Sequence, residues 1–124
     1  MFKLLGIDYG ESKVGLAIAD SETKLAIPQE VVKSKDLEDK IDYYINQESV
    51  EKIIIGLPLG LDGHDTKQTL IVKKYIEYLK KKFKVEVIVQ DERLSTKEAA
   101  RDGHDDDVAA MYILQTYLDR LLKK

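Results

Sequence analysis

The chain has 124 residues, of which 44% are hydrophobic, so it can bury the core of one compact domain and is not a disordered segment. It contains no cysteine, which excludes disulfide scaffolds, thiolate zinc sites and cysteine nucleophiles. Twenty Lys and Arg against 23 Asp and Glu give a net charge of −3, so a polyanion must be bound by a local patch. No stretch suits a membrane span or a signal peptide, and we expect a single cytoplasmic domain over residues 1–124.

The first part of the chain predicts three strands. Residues 2–9 are almost continuously apolar, and residues 14–18 alternate large apolar with small side chains. A third strand is predicted around 27–32, after a turn at 21–24. Short connections between consecutive strands favour an antiparallel meander.

From residue 37 onward, helices and strands alternate. The predicted elements are helices around 37–45, 72–83 and 106–122, and strands at 52–56 and 85–90. A capping box from Ser95 to Glu98 opens a further short helix. The order β-β-β-α-β-α-β-α predicts an α/β fold with a five-stranded mixed sheet and helices on both faces.

Acidic residues stand at the ends of several of these elements. Asp8 ends the first strand, Asp91 and Glu92 follow the last strand, and a run of three aspartates opens the final helix. Open α/β sheets bind ligands at the carboxyl ends of their strands, so these side chains can converge there. Helical projection allows either Asp106 or Asp107 to face the sheet.

Such a cluster offers only oxygen ligands, which suit a hard cation such as Mg²⁺ or Mn²⁺. One or two ions of this kind are a common device for phosphodiester hydrolysis. Each acidic terminus also has an ordinary explanation, as an Asx turn, a helix N-cap or a surface residue. Three of them at adjacent positions in the topology favour a metal site.

Five short motifs follow one another along the chain: G-I-D-Y-G (6–10), K-V-G-L-A (13–17), G-L-P (56–58), D-E-R-L (91–94), and A-A with I-L-Q (109–115). In this order, and over nearly the whole chain, they resemble the YqgF/RuvX family. Its members are described as Holliday junction resolvases or pre-16S rRNA nucleases. The resemblance implies a ribonuclease H-like fold and a nuclease activity.

The resemblance also assigns residues to the site. It implies that Asp8, Glu92 and Asp106, the aspartate seven residues before I-L-Q, are the catalytic metal ligands, with Asp91 assisting. It implies a cation at Lys13, a position that is often Arg in relatives and that would contact nucleic acid.

Other basic residues have two explanations each. Arg93 can contact the scissile phosphate or form a salt bridge that orients an aspartate. A lysine cluster on and after the long helix can follow a phosphate backbone or be a solvated helix face; its members are Lys73, Lys74, Lys80, Lys81, Lys82 and Lys84. Relatives usually carry a longer, basic segment where this chain has the short acidic stretch 101–105. The absence of that basic segment weakens the expected binding of a substrate.

Three further features have weaker signals. The loop 56–63 can line a substrate groove or simply connect a strand to a helix. His64 and His104 are not at ligand spacing to one another, so we expect no metal role for them. Seven tyrosines reveal no stacking platform through their spacing alone.

Three functions follow from these observations. The first is a metal-dependent endonuclease acting on the 5′ end of precursor 16S rRNA or, as a symmetric homodimer, on branched DNA. The second is nucleotide binding, because G-I-D-Y-G also resembles the phosphate hairpin of actin and sugar kinases, although those proteins enclose ATP between two such domains. The third is a non-catalytic RNA or ribosome binder that retains the acidic cluster.

Overall fold

The computed structural model describes residues 2–60, 62–91 and 106–122, and in these ranges the elements follow the predicted order. The strands are β1 (Lys3–Asp8), β2 (Lys13–Asp20), β3 (Ala26–Lys33), β4 (Val50–Leu57) and β5 (Glu86–Asp91). The helices are α1 (Leu37–Gln47), α2 (Lys67–Lys82) and α3 (Asp106–Leu122), with a 3₁₀ turn at Ser34–Asp36 before α1. The short helix predicted from Ser95 lies outside the described residues.

The five strands form one mixed sheet in the order β3-β2-β1-β4-β5. Strands β1, β2 and β3 pair antiparallel, as the meander prediction required, whereas β1, β4 and β5 run parallel. The prediction of a five-stranded mixed sheet is therefore confirmed. Strand β1 lies at the centre, hydrogen-bonded on both sides, and its carboxyl end shares one sheet edge with those of β4 and β5.

Helices cover both faces of the sheet, so the central strands are apolar on both sides. Helices α1 and α2 pack on the face that carries Leu5 and Ile7, and α3 packs on the face that carries Leu4. The described helices include none that is long and apolar enough to cross a membrane.

Helix α3 approaches the sheet so closely that two positions beneath it must be glycine. A Cβ atom on Gly15 would lie 1.9 Å from the main-chain oxygen of Asp106. A Cβ on Gly6 would lie 2.8 Å from the Cβ of Leu114 and 2.9 Å from the main-chain oxygen of Ala110. The absent side chains therefore allow the backbone of α3 to rest directly on β1 and β2.

We expect Gly15→Ala to lower the free energy of unfolding by about 2 kcal/mol or more, because the new methyl group overpacks a backbone contact. Urea denaturation of the two proteins measures the difference. The control is Lys33→Ala, at an exposed position on β3, for which we expect a change within about 0.5 kcal/mol. Equal stability of Gly15→Ala and the wild type would contradict the close approach of α3.

Candidate active site

Asp8 lies at the carboxyl end of the central strand, on the face covered by α3. Side chains alternate along a strand, so Leu4, Gly6 and Asp8 share this face. The residue opposite Asp8 on β2 is Gly15, whose missing side chain leaves room for the main chain of Asp106. Sheet pairing and helix packing together therefore bring the first turn of α3 to the end of β1.

The carboxyl group of Asp8 is electrostatically strained in this position. Burial raises its pKa, and the negative charge of Asp106 raises it further, to about 7. Within the described ranges neither aspartate forms an ion pair with a basic side chain. A half-buried pair of carboxylates that repel one another, with no basic partner among the described residues, fits the binding of a hard divalent cation.

The structure also distinguishes the two aspartates that open α3. Asp106 is the residue whose charge acts on Asp8. Asp107 instead accepts a hydrogen bond from the backbone N–H of Val108 at 3.0 Å through its Oδ1 atom. Of the two alternatives, Asp106 is therefore the one brought to Asp8, although its role as a metal ligand stays a prediction.

The acidic end of β5 is arranged differently. Asp91 lies opposite Leu57 in the sheet, and strand alternation puts Gln90, not Asp91, on the face of Asp8. Gln90 is 4% exposed and accepts a hydrogen bond from Arg120 at 3.4 Å, which joins β5 to α3. The register thus does not bring Asp91 to Asp8, and its role as an assisting ligand stays a prediction.

Two of the predicted site residues, Glu92 and Arg93, lie outside the described residues, as do His104 and the acidic stretch 101–105. Among the residues that are described, no group of three or more His, Asp and Glu side chains is arranged to hold a metal ion. Asp8 and Asp106 therefore supply two carboxylates of an incomplete set.

Lys13 begins β2 at an exposed position, two residues from Gly15 and therefore on the same face as Asp8. It forms no ion pair with the residues that the structure describes. A cation is thus available at the sheet edge where Asp8 lies, which agrees with the predicted contact with a phosphate.

The lysine cluster around α2 is partly neutralised. Its ion pairs are Lys73 with Asp65 at 2.8 Å, Lys80 with Glu77 at 3.8 Å and Lys82 with Glu38 at 3.8 Å. Lys74, Lys81 and Lys84 have no such partner in the described part of the chain. A continuous phosphate-binding stripe along the whole cluster is therefore not formed.

The loop after β4 is tied to α2. The Thr69 hydroxyl donates a hydrogen bond to the Pro58 carbonyl, and Thr66 caps the helix in a reciprocal capping box with Thr69. His64, in the same loop, contacts the carboxylate of Asp62 at 3.0 Å. The loop is thereby held at the sheet edge that carries the carboxylates.

One feature was missed from the sequence. Tyr9, the residue after Asp8, stacks on Tyr75 of α2, and Tyr78 lies beside them. The spacing of Ile71, Lys74, Tyr75 and Tyr78 predicts a common helix face, but no sequence signal pairs that face with Tyr9.

Comparison with known proteins gives the relationships of the chain. Residues 2–120 match the RuvX family, described as Holliday junction resolvase. A protein of Rickettsia rickettsii is 36% identical over 135 aligned positions, which cover 95% of this chain and 86% of that protein. A protein of Rickettsia bellii is also 36% identical, with 97% and 88% covered, and both carry the provisional name of a pre-16S rRNA nuclease. The alignments are longer than this chain, so these relatives contain residues that it lacks.

Solved structures show the same fold. The T. thermophilus RuvC protein in complex with a Holliday junction substrate gives a TM-score of 0.61 at 11% identity, covering 98% of this chain and 96% of that one. The Fowlpox virus resolvase in complex with Holliday junction DNA gives 0.57 at 14% identity, covering 98% and 99%. The likeness confirms the predicted ribonuclease H-like fold.

We expect Asp8→Asn to stabilise the protein in the absence of metal ions. The pKa of Asp8 rises from 3.8 in the unfolded chain to about 7 on folding. Ionisation of Asp8 therefore destabilises the folded protein fully above about pH 7, and has no effect below the pKa of the unfolded chain. At about pH 8 the variant should therefore gain up to about 4 kcal/mol, with the gain shrinking as the pH falls. Thermal unfolding in EDTA across this range measures it.

The control is Asp42→Asn, at an exposed position on α1, which should show no such pH-dependent gain. If Asp8→Asn were no more stable than the wild type at alkaline pH, the strained carboxyl pair would be contradicted.

Proposed function

The chain belongs to the RuvX family and is a nuclease, a hydrolase of phosphodiester bonds, and from this premise we propose that it is a metal-dependent endonuclease that matures the 5′ end of precursor 16S rRNA. The proposed enzyme is a single cytoplasmic domain over residues 1–124. The observation that carries the proposal is the pairing of Asp8 with Asp106 at the carboxyl edge of the central strand.

The proposed ligands for one or two Mg²⁺ or Mn²⁺ ions are Asp8, Asp106 and Glu92, with Asp91 assisting. When bound, such an ion acidifies water for attack on phosphorus and neutralises charge on the phosphate. The pair of Asp8 and Asp106 supports this assignment. Burial of the Asp8 carboxylate and its repulsion by Asp106 raise the pKa of Asp8, and a bound cation would offset the cost of both.

The fold keeps the two described carboxylates in position before a substrate arrives. Asp8 stands on a strand paired on both sides, and Asp106 is set by the backbone contact of α3 with Gly15. Charged groups contribute most to catalysis when they are held in place before the reaction, which supports these two residues as members of the site.

The protein has a net negative charge, so individual basic residues must bind the negatively charged substrate. We assign a neighbouring phosphate to Lys13, on the face of Asp8, and the scissile phosphate to Arg93. These contacts are local, so binding should weaken as the salt concentration rises.

The choice of rRNA over branched DNA rests on sequence similarity. The Rickettsia proteins named as pre-16S rRNA nucleases align with 95% or more of this chain. The description of the family as Holliday junction resolvase favours branched DNA as the second candidate. Paired cuts in a junction require two active sites in a symmetric dimer, whereas rRNA cleavage needs only a monomer.

The test is cleavage of a labelled 16S precursor 5′-leader RNA and of a four-way DNA junction, with Mg²⁺, Mn²⁺ or EDTA. We expect the RNA to be cut with either ion and not in EDTA. Asp8→Asn and Asp106→Asn should each reduce the rate by about 100-fold or more, as when a charge-stabilising group at a reacting centre is removed.

The matched control is Asp107→Asn, which changes the adjacent aspartate and should keep most of the activity. Paired junction cuts without RNA cleavage would favour the resolvase. Binding of RNA without any cleavage would leave a non-catalytic binder and refute the nuclease proposal.

A further inference from the structure

An aromatic pocket lies between the end of β1 and helix α2. The rings of Tyr9 and Tyr75 stack with centroids 4.2 Å apart and planes inclined by 16°, and the ring of Tyr78 lies 5.8 Å from that of Tyr75. Together with Ile71 and Lys74 they line a cavity of about 300 Å³. The cavity therefore offers flat aromatic walls and a cation at its rim.

The lysines around this pocket suit a nucleotide, and the nearby carboxylate of Glu38, which accepts a hydrogen bond from the Tyr78 hydroxyl, is paired with Lys82. Lys74 is exposed and has no ion-pair partner among the residues in the described ranges. Lys67 and Lys81, seven residues before and after it, lie on the same stripe of α2 and are equally exposed and unpaired within those ranges. Aromatic rings that stack bases beside lysines that contact phosphates are the usual combination for binding single-stranded nucleic acid.

Packing accounts for these tyrosines only in part: the rings of Tyr9 and Tyr75 pack against the core, but that of Tyr78 does not. Tyr78 is 42% exposed although it belongs to the cluster. The hydroxyl of Tyr75 is buried and has no hydrogen-bond partner in the described part of the protein. A buried hydroxyl without a partner costs free energy that phenylalanine would avoid, so stability alone does not favour tyrosine here.

The pocket adjoins the candidate active site. Tyr9 directly follows Asp8, and the two side chains leave the strand end on opposite faces of the sheet. A nucleic acid strand that crosses this edge of the sheet, with one phosphate at Asp8, would therefore bring its next nucleotide to the tyrosines.

We propose that the pocket formed by Tyr9, Tyr75 and Tyr78 stacks one unpaired nucleobase of the RNA, next to the nucleotide whose phosphate lies at Asp8. The inference rests on the proposed nuclease function and adds to it a requirement for an unpaired nucleotide beside the cleaved bond. A base inside a duplex stays stacked on its neighbours and does not enter.

The test measures RNA binding in an Asp8→Asn background, so that nothing is cut. The probes are the labelled 16S precursor 5′-leader RNA as a single strand, the same RNA annealed to its complement, and a series with one abasic nucleotide at successive positions. We expect Tyr78→Leu to weaken binding of the single strand about tenfold, as for loss of one stacked base, and to leave duplex binding unchanged. At one abasic position the effect of Tyr78→Leu should disappear.

Three controls accompany this variant. Tyr78→Phe keeps the ring and should bind like the parent protein. Tyr112→Leu changes a tyrosine of similar exposure, 43%, on α3 and should have no effect. Lys74→Ala should weaken binding of the single strand with a reduced salt dependence, whereas Lys35→Ala should not.

Equal affinity of Tyr78→Leu and the parent for the single strand would overturn the inference. A change in oligomeric state on Tyr78→Leu, seen by sedimentation, would assign the pocket to a second copy of the chain and also overturn it. Cleavage of RNA by the wild type with no effect of Tyr78 would refute the pocket alone. Base-dependent binding without cleavage would refute the nuclease alone, and absence of RNA binding would refute both.

Discussion

The contact between the backbone of α3 and the β1–β2 hairpin is the constraint on which the rest of the structure depends. Gly6 and Gly15 have no side chains at the two points where the helix lies closest to the sheet, so the first turn of α3 is fixed over the end of the central strand. The proximity of Asp106 to Asp8, and the raised pKa that results, follow from this packing. The electrostatics of the site are thus a consequence of close packing between a helix and a sheet.

The same arrangement explains how a small domain tolerates two adjacent carboxylates. Leu5 and Ile7 face one helical layer and Leu4 the other, so β1 is anchored by apolar packing on both sides as well as by its two neighbouring strands. Burial of this apolar surface offsets the cost of partly desolvating Asp8. The charged end belongs to one of the most firmly held strands of the sheet.

Much of this could be predicted from the sequence, because its patterns are local. Alternating and continuous apolar runs located the strands, and the bounds of the last helix were predicted from its apolar stripe and acidic start. Contacts between distant elements could not be predicted. Helical projection alone leaves Asp106 and Asp107 equivalent, and the structure distinguishes them because it is the charge of Asp106 that acts on Asp8. The stacking of Tyr9 on Tyr75 depends on how α2 lies against β1, which no spacing in the sequence encodes.

The two described carboxylates belong to the first strand and the last described helix, and this order along the chain has a consequence for biosynthesis. Chains emerge from the ribosome N-terminus first, and local contacts form before distant ones. The pairing of β1 with β2 needs only nearby residues, whereas Asp106 reaches Asp8 only after α3 has been synthesised and has docked. The nascent polypeptide therefore carries an unassembled site until α3 has docked, and the repulsion between the carboxylates arises only in that docking step.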